Sequence, residues 1–252
     1  MTGSLFQYFN VFWLITACIV FLVALRVKAP YGRHTLTSWG PLIDNKLGWF
    51  VMELPAFLLP LYFCFTSPST LGVVSLIMLF WISFHYFNRV FIYPIRIKTK
   101  GKKIPIVIVL FALIFNAVNG SNIGYFLGHY TSSYTTDWLY DIRFITGTIL
   151  FILGMIINWK SDTILINLRK PGETGYKVPK GFLFKYVSCP NHLGEIIEWI
   201  GFALLTWALP SLVFAVWTIA NLVPRSINHH NWYQDEFPAY PKERKAVIPF
   251  LV

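Results

Sequence analysis

The chain has 252 residues, 56% of them hydrophobic and 13% charged, with a net charge of +10. That balance lies outside the range of ordinary soluble domains and reads as a membrane protein, in which surplus positive charge can serve nucleic acid, anionic lipid or a polyanionic cofactor. Cys18, Cys64 and Cys189 have no metal-ligand spacing, so neither a zinc site nor a disulfide framework is expected.

Seven apolar segments follow in order. The first, about 9 to 27, is long enough to span a bilayer and runs into Arg26 and Lys28 without a small-residue cleavage pattern, so it reads as a retained helix. The second, 47 to 66, contains "LGWFVMELPAFLLPLYFCF", in which Glu53 sits between Trp49 and Phe57 at one-turn spacing and next to a helix break at Pro55. A charged carboxylate in hydrocarbon costs roughly 3 kcal/mol on insertion scales. Its neutral, hydrogen-donating form is therefore expected there. The third, 71 to 93, ends in "FHYFNRVFIYP", with Tyr86, Arg89 and Tyr93 at helical spacing. The fourth, 104 to 128, and the fifth, 142 to 159, lead to the stretch 160 to 190, "KSDTILINLRKPGETGYKVPKGFLFKYVSCP", which keeps a helical period and breaks at Pro171-Gly172. The sixth, 192 to 209, opens with "CPNHLGEIIEWIGFALL", where Asn191, Glu195, Glu198 and Phe202 share a face, and the seventh covers 211 to 227.

All Lys and Arg except Arg143 fall in the N-terminally odd-numbered loops, in the C-terminal segment, or at the matching end of the third helix. The positive-inside rule then predicts an all-α integral membrane protein of seven transmembrane helices, N-terminus outside and C-terminus cytoplasmic. With no repeat and no soluble domain, residues 1–252 read as one membrane domain to which the cytoplasmic loop 160–190 adds function.

Four polar stripes lie near the cytoplasmic helix ends: Asn158, Asp162 and Arg169; Asn191, Glu195 and Glu198; Arg225, His229 and Tyr233; Tyr86, Arg89 and Tyr93. Singly, each can be a rim of residues snorkelling to the interface. Together they combine amides, carboxylates, a histidine and arginines, which suits a phosphate-bearing ligand held between helices. No P-loop, no G-x-G-x-x-G after a strand and no H-E-x-x-H is present, and no metal is assigned.

These residues carry a family resemblance. "YGRHT", "ELPAF", "HYFNRVFIYP", "DIRF", "LGMIINWKSDTILINLRKPGETGYKVPKG", "NHLGEIIEWIGFAL" and "YPKERKAVIPFLV" together resemble the steroid 5α-reductases, over residues 30 to 252. The resemblance implies NADPH-dependent reduction of the Δ4 double bond of 3-oxosteroids in a seven-helix membrane fold. Hydride passes to C5, and Glu53 and Tyr86 polarise the 3-oxo group. It places Asn158, Asp162, Arg169, Tyr176, Asn191, Glu195, Arg225, His229 and Tyr233 around NADPH, with Arg33 and Arg89 as basic contacts nearby. Trp49 and Phe115 are expected to wall the substrate with Glu53 and Tyr86. The steroid is expected to enter from the bilayer, with no nucleic acid and no obligate protein partner. The membrane is that of the endoplasmic reticulum in a eukaryote and the plasma membrane in a bacterium. Lys177 stands where the mammalian enzymes have arginine, and Met52 beside Glu53 is a further departure that bears on steroid range. Related membrane reductases of polyprenols, enoyl thioesters or other sterol double bonds would share the cofactor stripes and differ around Glu53 and Tyr86. A transporter of a polar ligand would show repeat-related broken helices, which are not found.

Overall fold

A computed structural model describes residues 3–27, 39–68, 70–99, 101–131, 134–169, 173 and 175–252. It is mostly helical. Among the described residues five helices are long and apolar enough to cross a membrane: Gly3–Ala24 (α1), Asn45–Phe65 (α2), Val73–Arg96, Ile106–His129 (α5) and Ile142–Asn167 (α6). The Val73–Arg96 rod is built of α3 (Val73–Phe87), a π-helical turn (Asn88–Ile92) and a last α turn, α4 (Tyr93–Arg96). Two more helices follow, α7 (Pro190–Thr206) and α8 (Leu209–Glu236). The chain is thus an all-α, multi-pass membrane protein. Its α1 starts earlier than the apolar run suggested, because Asn10 satisfies its own amide by donating to the Phe6 carbonyl at 2.8 Å and so is accommodated inside the helix. Beyond their apolar parts, α6 continues to Asn167 and α8 to Glu236, and both extensions carry polar stripes.

Backbone contacts cluster into two compact units, residues 29–145 and residues 1–28 with 146–252. In the first, α2 packs on α5. Gly120, Gly124 and Gly128 recur every four residues, and a Cβ on them would stand 2.9 Å from the Pro55 carbonyl, 2.7 Å from Pro60 Cα and 2.6 Å from the Phe63 carbonyl. Lipid gives helices no hydrophobic reason to associate, so close backbone approach over small residues supplies the contact. A two-stranded antiparallel ribbon, β1 (Leu42–Asp44) with β2 (Lys103–Pro105), ties the starts of α2 and α5. Asp44 caps α2 by accepting from the Lys46 and Leu47 amides. Met52, Ile104 and Val109 form the apolar cluster beneath the ribbon.

At the far end of this unit Arg143 is neutralised. It makes a bidentate pair with Asp141 at 2.8 and 2.7 Å and lies over the Trp138 ring. These hydrogen bonds hold the Asp141 carboxyl down at about 2. The lone exception to the charge asymmetry is therefore held in an ion pair.

In the second unit α6 and α7 meet over glycines one heptad apart on each helix. A Cβ on Gly194 would fall 2.5 Å from the Asn158 amide nitrogen, and one on Gly201 2.5 Å from that of Phe151; Gly154 and Gly147 face them in return. Only hydrogen fits at these crossings. Trp207, in the left-handed region at φ 45°, ends α7 and turns the chain directly into α8. α1 lies on α8, where Trp217 donates to the Trp13 carbonyl at 3.0 Å. The C-terminal tail folds back. Ser188 and Cys189 amides donate to the Lys245 and Ala246 carbonyls, and Val247 packs with Ile196 of α7 and Leu222 of α8.

Candidate functional site

Within residues 29–145, Glu53 is almost fully enclosed, with 12% of its side chain exposed. The residue nearest in chemistry comes from the Val73–Arg96 rod: Arg89 Nη2 is 3.9 Å from Glu53 Oε1. The guanidinium lies against two rings, 4.8 Å from that of Trp49 and 4.5 Å from that of Tyr93, which themselves meet edge to face at 5.2 Å. Cation–π contact with two rings helps make a buried arginine tolerable. Arg89 belongs to the π-helical turn, a widened turn of the kind often found at functional positions. Tyr86 is buried three residues before it, so the two share a face of the rod, and its ring meets His85 edge-on at 4.9 Å.

The other wall is α5. Asn116, buried, donates its amide to the Met52 carbonyl at 2.7 Å and to Glu53 Oε2 at 3.2 Å. Phe115 beside it is half-buried. The carboxyl therefore has a cation and an amide beside it rather than hydrocarbon alone. An enclosed carboxyl held in place by an amide can itself serve as a hydrogen-bonding group for a ligand oxygen. Sequence reasoning passed over Asn116, though Asn116, Asn119 and Asn122 in an otherwise apolar helix were a signal.

The second unit gathers the remaining stripes. Asn158 donates to the Asn191 carbonyl at 3.0 Å and reaches Glu195 Oε2 at 3.5 Å, while Asn191 donates to Asp162 Oδ1 at 3.2 Å. Asn158 and Asp162 are buried, whereas Asn191 and Glu195 are half-exposed. The Gly154–Gly194 crossing is what lets side chains this short bridge two backbones. Arg169 donates to the Gly175 carbonyl at 3.2 Å and lies over the exposed Tyr176 ring, which meets Trp232 at 5.0 Å; Trp232 in turn meets Tyr233. His229 stands 6.0 Å from His192, centroid to centroid. Arg225 lies half-buried one turn before it. Arg33 lies outside the described residues.

Behind these, His192 is fixed by Ser226 at 2.8 Å, and Ser188 joins His230 at 2.7 Å to Tyr240 at 2.6 Å. Burial, with Lys245 and Arg244 nearby, holds the pKa of the His230 imidazole below its ordinary value. None of these partners was evident from the sequence. Amides and carboxylates at α6 and α7, next to an arginine-bearing aromatic loop, form a set of donors and acceptors suited to a carboxamide, hydroxyls and phosphates. Among the described residues no group of three His, Cys, Asp or Glu could hold a metal.

Comparison with known proteins adds an independent line. The family model for 3-oxo-5-alpha-steroid 4-dehydrogenase matches residues 102–252. A steroid 5-alpha-reductase of Gossypium hirsutum is 38% identical over 257 residues, covering 98% of each chain. The 3-oxo-5-alpha-steroid 4-dehydrogenase 2 of Homo sapiens is 44% identical over 234 residues, covering 91% of each. That of Sus scrofa is 45% identical over 224 residues, covering 88% of this chain and 87% of its own.

Proposed function

The chain belongs to the 3-oxo-5-alpha-steroid 4-dehydrogenase family of oxidoreductases, and from that premise we propose that it reduces the Δ4 double bond of 3-oxosteroids with NADPH. The observation that carries the reading is the enclosed Glu53 carboxyl with Arg89 at 3.9 Å and Asn116 at 3.2 Å. A site for a purely apolar ligand has no use for such a group at membrane depth.

When bound, NADPH supplies a hydride from nicotinamide C4 to C5 of the enone. Asn191, Asp162, Asn158 and Glu195 would hold its carboxamide and ribose ends by hydrogen bonds. Arg169 and Arg225, with His229, would neutralise phosphate, and the exposed Tyr176 ring would offer a stacking face, whereas Tyr233 is buried, stacked on Tyr240, and would act by backing Trp232. Glu53, as the neutral acid, and Tyr86 donate to the 3-oxo oxygen, so the charge that collects there as C5 accepts hydride is stabilised where water is excluded. Arg89 adds positive charge beside the same carboxyl. A proton delivered to C4 of the enolate from solvent or a nearby donor completes a 5α-reduced 3-oxosteroid. Trp49 and Phe115 present apolar surface to a steroid that enters from the bilayer. Purified protein given NADPH and progesterone or testosterone is expected to yield the 5α-dihydro ketone by mass spectrometry. Recovery of unchanged enone under conditions where NADPH binds would reject the reading.

The proposal extends to topology. Residues 1–252 act as one reductase domain of seven spans, α7 and α8 included, with the N-terminus outside, the C-terminus cytoplasmic, and residues 160–190 serving the cofactor. Cysteines placed at Lys177 or Lys180 are expected to label only from the cytoplasmic side. Labelling from outside alone would overturn the orientation.

A further inference from the structure

We infer that Asn116 is the positioning residue that selects which oxygen of Glu53 carries the acidic proton. The inference rests on Glu53 being the donor to the 3-oxo group. A carboxylic acid has one hydroxyl and one carbonyl oxygen, and only the hydroxyl can donate. Asn116 uses its amide nitrogen on both the Met52 carbonyl, at 2.7 Å, and Glu53 Oε2, at 3.2 Å. Flipping the amide would set its oxygen against the Met52 carbonyl, which can only accept, so that contact holds the nitrogen toward α2. Oε2 is thereby committed as an acceptor, and the proton resides on Oε1. Oε1 is the oxygen that faces Arg89, whose Nη2 at 3.9 Å lies beyond hydrogen-bond reach yet brings positive charge to the place where a ketone oxygen gains negative charge.

Backbone packing makes this clamp possible. Gly120, one turn after Asn116, brings α5 against the Pro55 carbonyl, so a side chain as short as asparagine spans the gap to two successive residues of α2. With Asn116 buried and both hydrogens in use, water is a poor substitute for it. Asn116 itself need not touch substrate or cofactor to act.

A double-mutant cycle tests the assignment: wild type, Glu53→Gln, Asn116→Leu and the pair, each followed by kcat, KM and NADPH affinity. Asn116→Leu is expected to lower kcat about tenfold or more with NADPH affinity unchanged, and to add less than about twofold once Glu53 is already glutamine, because both changes act on one group. Asn116→Asp, of equal size but with an acceptor in place of the donor, is run through the same cycle so that loss of packing cannot imitate the result. Equal losses in both backgrounds, or wild-type kcat in Asn116→Leu and Asn116→Asp, overturn the positioning role while leaving Glu53 as donor. Wild-type kcat in Glu53→Gln removes the donor reading and this inference with it.

Discussion

Replacing Glu53 with glutamine is expected to slow enone reduction about a hundredfold to a thousandfold while NADPH binding persists, the size of loss seen when one donor aimed at a developing oxyanion is removed. Glutamine keeps the shape and a weak donor but not the acidic proton, and Asn116 can still donate to its amide oxygen, so the local packing survives. Tyr86→Phe removes one hydroxyl from a buried ring and is expected to act in the same direction. Both losses should appear in kcat, because the contacts strengthen only as charge reaches the 3-oxo oxygen. A structural role would look different: lower thermal stability with turnover per folded molecule unchanged. Wild-type turnover in both variants, with folding intact, would show that Glu53 and Tyr86 are packing residues.

The second large effect is expected at the cofactor. Arg169→Ala and Arg225→Ala should each weaken NADPH by about tenfold to a hundredfold, the loss of a charge-assisted contact worth on the order of 1 to 3 kcal/mol. Steroid affinity should change little. Arg169 is only loosely held, by the Gly175 carbonyl and the Tyr176 face, so it is free to turn toward phosphate without leaving a buried charge behind. Titrating NADPH fluorescence against the two variants and their double decides the point. Unchanged affinity in all three would remove the loop from the cofactor site.

Much of the polar chemistry was legible in one dimension. A carboxyl at position 53 of a long apolar run announces itself because hydrocarbon tolerates it poorly. Asn158 with Asp162, and Asn191 with Glu195, were readable as pairs because residues four apart on a helix share a face whatever the helix packs against. Hydropathy located the helices for the same reason: length and apolar content are properties of each segment alone. Helix ends were less legible, since α6 and α8 run on into polar residues that hydropathy does not count.

What the sequence determined by itself was therefore the membrane class, the positions of the apolar helices, the polar stripes and, through long ordered motifs, the family. What only the tertiary structure decided was which stripes meet. Glu53 has no cation near it along the chain, yet Arg89 arrives from another helix, and Asn116, at a separation of 63 residues, supplies the amide. The glycines of α5, α6 and α7 looked ordinary in the sequence and prove to be where backbones touch. The physical reason is that a contact between helices depends on their separation and rotation, and both are set by the summed fit of many side chains rather than by any one segment's period. The π-helical turn at Asn88–Ile92 alters that rotation with no mark in hydropathy. Burial can be read from a segment; partnership requires the packed fold.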